Sequence, residues 1–276
     1  MLITATIVTL NEERNIARAI RSLRCADEVV VVDSGSTDRT REIAARMGAR
    51  VIEEPWRGYA GQKNFAACCA ANEWILSIDA DEELTDELAA EILQLKKEGA
   101  RFDGYSFPRR ALYLGRWIRY SGWYPDRKVR LYDRRKAEWV GDYVHESVRV
   151  KGVSGELRGD LLHFTCASLS EHLRTLDRYT SLAAREVMVQ GKAVTLTRLA
   201  VDPAWTFFRT YVLQRGFLDG RQGLAIAWMA ALYTFLKYAK ASVPLVVSAT
   251  GAFSSASKKP AAKETASGTD ENPPSR

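Results

Sequence analysis

The 276-residue chain is predicted to be an α/β protein with a doubly wound, mostly parallel sheet and a helical C-terminal extension. Three observations predict it. Between residues 2 and 99, four apolar, β-branched runs alternate with four amphipathic segments, the pattern of repeated strand–helix units. Three of those runs end in polar clusters, at 9–13, 33–38 and 79–83, where such sheets bind their ligands. After a middle region rich in Arg, Trp and Tyr, helix-forming segments resume from about Ser168.

The elements follow in order. "LITATIVTL" is a central strand by its β-branched content. In "NEERNIARAIRSL", Asn11 is the expected cap, Glu12 and Glu13 suit a first turn, and Ile16, Ile20 and Leu23 form one apolar face. "EVVVVD" is a second strand, "SGSTD" a turn, and "RTREIAARMG" a helix stopped by Gly48. "ARVIEE" is a third strand, "GYAGQKNFAACCAAN" a loop and helix, and "EWILSID" a fourth strand. In "TDELAAEILQLKKEG", Thr85 caps a helix with the stripe Leu88, Ile92, Leu95, and Gly99 ends it. Residues 100–165 fit short strands and turns. The apolar core at 224–236 is shorter than the about 20 residues a bilayer span needs. Arg209, Arg215, Arg221, Lys237 and Lys240 interrupt the aromatic stretches around it. That suits a helix lying in the membrane interface, and equally a helix packed on its own domain or on a partner subunit. The expected division is an α/β domain at 1–165 (halves 1–99 and 100–165), a helical extension at 166–253, and a disordered tail at 254–276.

A net charge of +6 suits nucleotides, phosphorylated glycans, a membrane surface or nucleic acid, and alone selects none of them. Cys25, Cys68, Cys69 and Cys166 form no C-x-x-C, so neither a zinc site nor a disulfide framework is expected. A reducing compartment follows. "MLITATIVTLNEE" has no basic leader region and is expected to be a strand, not a signal peptide. The first loop, "TLNEERN", has no glycine, which argues against a dinucleotide fold and a P-loop.

Asp79 and Asp81, two apart at a strand tip, can hold Mg²⁺ or Mn²⁺ together with substrate phosphates. Acidic pairs are also common at helix starts, and Glu82 and Glu83 fit as favourable charges ahead of the helix at Thr85. Asp33 can accept a hydrogen bond from a base or sugar, while Ser36 and Asp38 can cap the next helix; both can hold at once. The cluster from Arg109 to Arg135 interleaves arginines with Trp117, Trp123 and Tyr124. It is either a solvated face or a surface for phosphate and sugar rings. A nucleic-acid groove uses the same ingredients, but nothing else supports one.

Together "VTLNEERNIARAIRSL", "EVVVVDSGSTDRT" and "ILSIDADEEL" resemble the family 2 glycosyltransferases of GT-A fold. "PWRGYAGQKNFA", "WYPDRKVRLYDR", "YVHES" and "FLDGRQGL" are similar to the lipopolysaccharide core branch of that family, with its β-1,4-glucosyltransferases. The resemblance implies roles. Thr9, Leu10, Asn11 and Glu13 would touch the base and ribose, and Asp33, with Ser36 beside it, the uracil. Lys63 would reach the nucleotide or its phosphates. Asp79, followed by Ala80, would meet the ribose or donor sugar, and Asp81 the metal, with His163 of "LLHF" helping to hold metal or diphosphate. The family's x-E-D base element is "VHE" here, so Glu146 takes the base position, with Asp126 of "YPDRK" as second choice. An anionic glycolipid acceptor would meet Arg109, Trp123, Tyr124, Arg127 and His145.

The expectation is an inverting, metal-dependent transfer of a hexose, glucose foremost, from a UDP-sugar to lipopolysaccharide inner core. It would take place at the cytoplasmic face of the inner membrane, with the protein held peripherally. One base on the acceptor hydroxyl and stabilisation of the departing diphosphate suffice for a single inverting displacement. Three other readings compete. One is transfer to polyprenyl phosphate, whose enzymes often carry full membrane spans. Another is a sugar-phosphate nucleotidyltransferase, which would favour a glycine-rich first loop. The third is a non-catalytic nucleotide-sugar binder.

Overall fold

Strand β1 (Ile3–Thr9) is the axis of the fold, and all its residues but Val8, which is partly open, are buried, as a central parallel strand requires. A computed structural model describes residues 1–141, 146–191 and 193–242. Strand β2 (Glu28–Asp33) lies along one edge of β1, with β3 (Arg50–Glu53) beyond it. Strand β4 (Trp74–Asp79) lies along the other edge, and all four run parallel. Helices α1 (Ile16–Ser22), α2 (Thr40–Arg46) and α3 (Tyr59–Cys69) make the crossovers. The chain winds outward to β3 and then returns to the far side of β1. That reversal opens a crevice at the carboxyl ends of β1 and β4.

Past β4 the sheet becomes mixed. The remaining strands are β5 (Glu82–Leu84), β6 (Gly104–Tyr113), β7 (Arg116–Trp117), β8 (Asp126–Asp133), β9 (Ala137–Val140), β10 (Ser147–Val150), β11 (Ser154–Glu156) and β12 (Leu161–Cys166). The main sheet has the order β3-β2-β1-β4-β8-β6-β12-β5, with β7 and β11 attached to β6. Strand β8 is antiparallel to β4 and β6, β12 is parallel to β6, and β5 is antiparallel to β12. Strands β9 and β10 form a separate ribbon. The expected α/β class with a parallel first half stands, and the antiparallel additions belong to the second half.

Local expectations hold where the cap chemistry is strong. Helix α4 (Asp86–Glu98) has the Thr85 hydroxyl accepting from the Leu88 N–H at 3.2 Å, and it ends at Gly99 with φ +87°. Asn11 is a correction. It does not cap α1, which begins five residues later; its φ is +56°, and its side-chain oxygen accepts from the Thr37 N–H at 2.8 Å. Glu82 is a second correction. It is no charge at a helix start but a strand residue with 0% exposure.

The C-terminal part contains α5 (Leu169–Val189), α6 (Leu196–Phe208), a π-helical turn at Arg209–Leu213, a 3₁₀ turn at Gly216–Asp219 and α7 (Gly220–Ser242). Among the described residues, no helix is long and apolar enough to cross a membrane. Buried Asp219 accepts from the backbone N–H groups of Arg119 and Tyr120 and from the Ser121 hydroxyl, which ties the helices to the loop after β7. Ile226 shares a small core with Tyr113 and Ile118. A Cβ on Gly223 would fall 1.8 Å from the Gly216 carbonyl oxygen, so the closeness of α7 to the 3₁₀ turn needs glycine there. The expected tail at 254–276 lies outside the described residues.

Candidate active site

The crevice at the ends of β1 and β4 deepens into a cavity of about 1160 Å³, ample for a nucleotide-sized ligand. Thr9 and Leu10 at the end of β1, Asp79, Ala80 and Asp81 at the end of β4, and Lys63 from α3 line it, as do Arg109, Arg127, Glu146 and His163 from the second half.

A chain of alternating charges builds the floor. The Lys63 ammonium, with only 2% of its side chain exposed, lies 2.8 Å from Asp79 Oδ1 and 3.2 Å from Glu146 Oε1. Arg130, on β8, bridges Asp79 Oδ2 and Glu82 Oε1, each at 3.0 Å. Arg109 continues the chain to Glu82 at 3.3 Å and to Asp126 at 2.8 Å. Glu82 Oε2 also accepts from the Asp79 N–H at 2.9 Å. Burial by itself would raise the Asp79 carboxyl; the Lys63 and Arg130 cations overcome it and hold the group well below the usual carboxylate range. Burial opposes the Arg130 charge as well, but Glu82 and Asp79 more than offset it and keep the guanidinium firmly protonated. Trp139 stacks under both cations, 4.3 Å from Lys63 Nζ and 5.2 Å from the Arg130 guanidinium carbon. Asn64 fixes Trp139 by bonding both its backbone N–H and its carbonyl.

Asp81 stands apart from this chain. Strand β5 turns back from β4 and pairs with β12, so that His163 lies opposite Glu82 and the Phe164 N–H donates to the Asp81 carbonyl at 2.9 Å. His163 Nε2 then comes 3.2 Å from Asp81 Oδ2, both side chains partly open to the cavity. One carboxylate and one imidazole side by side suit a divalent cation whose other ligands are phosphate oxygens and water. Among the described residues no group of three His, Cys, Asp or Glu is placed to hold a metal ion alone.

Other expected site residues lie elsewhere. Asp33 is fully buried and accepts from the N–H groups of Gly35 and Ser36 and from the Ser36 hydroxyl. Ser36 Oγ in turn accepts from the Asn11 N–H, and the Glu13 N–H donates to Asp38. These four residues, Asp33, Ser36, Asn11 and Glu13, knit the first two loops together behind the cavity wall. Asp126 pairs with Arg109 and Lys128. Trp123 packs on Tyr113 at 5.4 Å, and Tyr124 donates to Asp160; neither lines the cavity. His145 lies outside the described residues.

The cavity also takes residues that sequence reading passed over: Glu12 rather than Glu13, Arg130 and Trp139, and Arg178 and Tyr179 from α5. Arg130 alone left a trace, as a charge in the otherwise strand-like "KVRLYD". Among the described residues, two of its guanidinium nitrogens, Nε and Nη1, are buried with no hydrogen-bond partner, as is the Thr9 hydroxyl; polar groups left this way inside a cavity are suited to a polar ligand.

The family model described as Glycosyl transferase family 2 matches residues 4–153. An uncharacterized glycosyltransferase of Rickettsia typhi is 35% identical over 86% of this chain and 86% of its own. The lipopolysaccharide core biosynthesis glycosyltransferase LpsC of Rhizobium meliloti is 34% identical over 86% of this chain and 91% of its own. Among solved structures, S. aureus TarS in complex with UDP-GlcNAc is 16% identical over 86% of this chain and 81% of that chain, with a TM-score of 0.44.

Proposed function

The chain belongs to glycosyl transferase family 2, and we propose that it transfers a hexose, glucose foremost, from a UDP-sugar to an anionic inner-core oligosaccharide of lipopolysaccharide with inversion. The observation that carries this reading is the cavity in which Asp79, Asp81, His163, Lys63 and Glu146 converge at the ends of β1 and β4. Similarity to LpsC supports the acceptor class.

Thr9 and Leu10 border the nucleotide, and Asp79, held ionised by Lys63 and Arg130, accepts hydrogen bonds from ribose or donor-sugar hydroxyls. Asp81 and His163 would hold a divalent cation, which would supply neutralising charge for the leaving diphosphate. An imidazole beside the carboxylate favours Mn²⁺ over Mg²⁺. Lys63 and Arg130 add fixed positive charge toward the same diphosphate. Glu146 takes the proton from the acceptor hydroxyl as its oxygen bonds to the anomeric carbon and the carbon–phosphate-oxygen bond breaks. Arg109 serves as framework through Glu82 and Asp126, while Arg127 and Arg178 meet acceptor anions.

The test is a donor panel with truncated lipid acceptors, read by UDP release and product mass. A product one hexose heavier, formed only from a UDP-sugar and lost in Asp81→Asn, is expected. Transfer that survives Asp81→Asn undiminished overturns the metal assignment, and release of UDP without any glycan product overturns the acceptor.

A further inference from the structure

Helices α6 and α7 turn large apolar side chains toward solvent. Eleven exposed large apolar side chains lie between residues 196 and 235, against ten in the rest of the described residues. Helix α6 faces α7 through Thr206, which meets Thr234, and through Phe207, whose ring lies 4.9 Å from that of Trp228. Its outward stripe is Val201, Trp205 and Phe208, spaced four and three apart and therefore in line along the helix, and exposed Val212 follows in the π-helical turn. A surface helix ordinarily turns polar residues outward, yet Trp205 is 53% exposed and α6 buries none of its residues. Helix α7 repeats the pattern with Leu224, Trp228 and Phe235, Trp228 being 62% exposed. Ring contacts from Phe217 through Tyr211 and Phe207 to Trp228 join the two stripes.

Exposed arginines border this surface: Arg209, Arg215 and Arg221. Only two acids, Asp202 and Asp219, occur in residues 196–242, and Asp219 is buried and turned inward to the loop after β7. Contiguous apolar surface of this kind marks an interaction site. Aromatic rings interleaved with cations and almost free of acid match the interface of an anionic bilayer, where rings enter the acyl boundary and arginines meet phosphates. A second copy of the chain fits less well, because pairing the same face would set three arginines against three.

We infer that the outward face of α6, the π-helical turn and α7 docks on an anionic lipid surface, lying in the interface without crossing it. The experiment is vesicle co-sedimentation of the full chain, with phosphatidylcholine alone and with an equal mixture of phosphatidylcholine and phosphatidylglycerol. Binding only to the mixed vesicles, weakened by salt, is expected. Trp205→Ser with Trp228→Ser should release the protein, and Trp205→Ser alone, which leaves the Phe207–Trp228 contact between the helices in place, should weaken binding with thermal unfolding unchanged. Arg209→Gln, Arg215→Gln and Arg221→Gln together should weaken binding on the order of a hundredfold. Failure to bind mixed vesicles at low salt overturns the inference, and so does binding untouched by the tryptophan changes. A concentration-dependent dimer that Trp228→Ser dissolves overturns it too, assigning the face to self-association.

Discussion

Arg130 Nη2 and Glu82 Oε1 lie 3.0 Å apart, with 5% and 0% of their side chains exposed. Glu82 also takes Arg109 and the Asp79 N–H, so the floor of the cavity is organised around one buried carboxylate. Arg130→Met nearly keeps the volume but leaves buried Glu82 with Arg109 as its one guanidinium partner among the described residues and weakens the hold on Asp79. A loss of about 3–5 kcal/mol in urea unfolding is expected. A loss under about 1 kcal/mol, the worth of an exposed pair, would mean that the network opens to water in solution.

Glu146 is the carboxylate expected to take the acceptor proton. Glu146→Gln keeps its shape and removes the basicity, so kcat should fall about a hundred- to ten-thousandfold. Affinity for UDP, measured calorimetrically, should stay within a few fold. Unchanged kcat would move the base elsewhere, Asp126 being the next carboxylate to try.

His163 and Asp81 form the proposed cation pair. His163→Ala should raise the Mn²⁺ concentration for half-maximal turnover by about tenfold or more, with less effect on the Mg²⁺ requirement. Equal displacement of both curves would make His163 a support for Asp81 instead of a ligand.

Glu12 carries a pH prediction. Burial raises its carboxyl above the ordinary 4.5, Asp81 and Asp38 add to the rise, and the Asn15 hydrogen bond opposes it. A raised carboxyl binds its proton more tightly in the folded chain, so stability falls as pH rises from the ordinary value through the raised one. Glu12→Gln can still accept from Asn15 and escapes this loss. Its melting temperature should match the wild type in acid and exceed it at neutral pH; a constant difference across pH would contradict the sign.

Arg178 reaches the cavity from α5. Loss of one charged hydrogen bond to an acceptor anion in Arg178→Ala should raise the acceptor KM about tenfold or more, leaving the donor KM alone. An effect on the donor instead would put Arg178 at the diphosphate.

The sequence by itself determined the local half of this protein. Alternating apolar runs specified β1 to β4, Thr85 and Gly99 bounded α4, and the acids at the strand tips marked the crevice, because periodicity, capping and backbone preference act over a few residues. Tertiary structure alone decided which charges meet. Asp81 and His163 are 82 positions apart and Arg130 and Glu82 are 48 apart. Their meeting depends on β5 folding back onto β12 and on β8 running antiparallel beside β4. The same long-range order buried Asp33 behind its own turn, brought Arg178 in from a helix beyond the sheet, and left the apolar stripes of α6 and α7 facing outward. No local period encodes sheet order. A carboxylate at a strand tip therefore looks the same in sequence whether water, a cation or a buried arginine will face it.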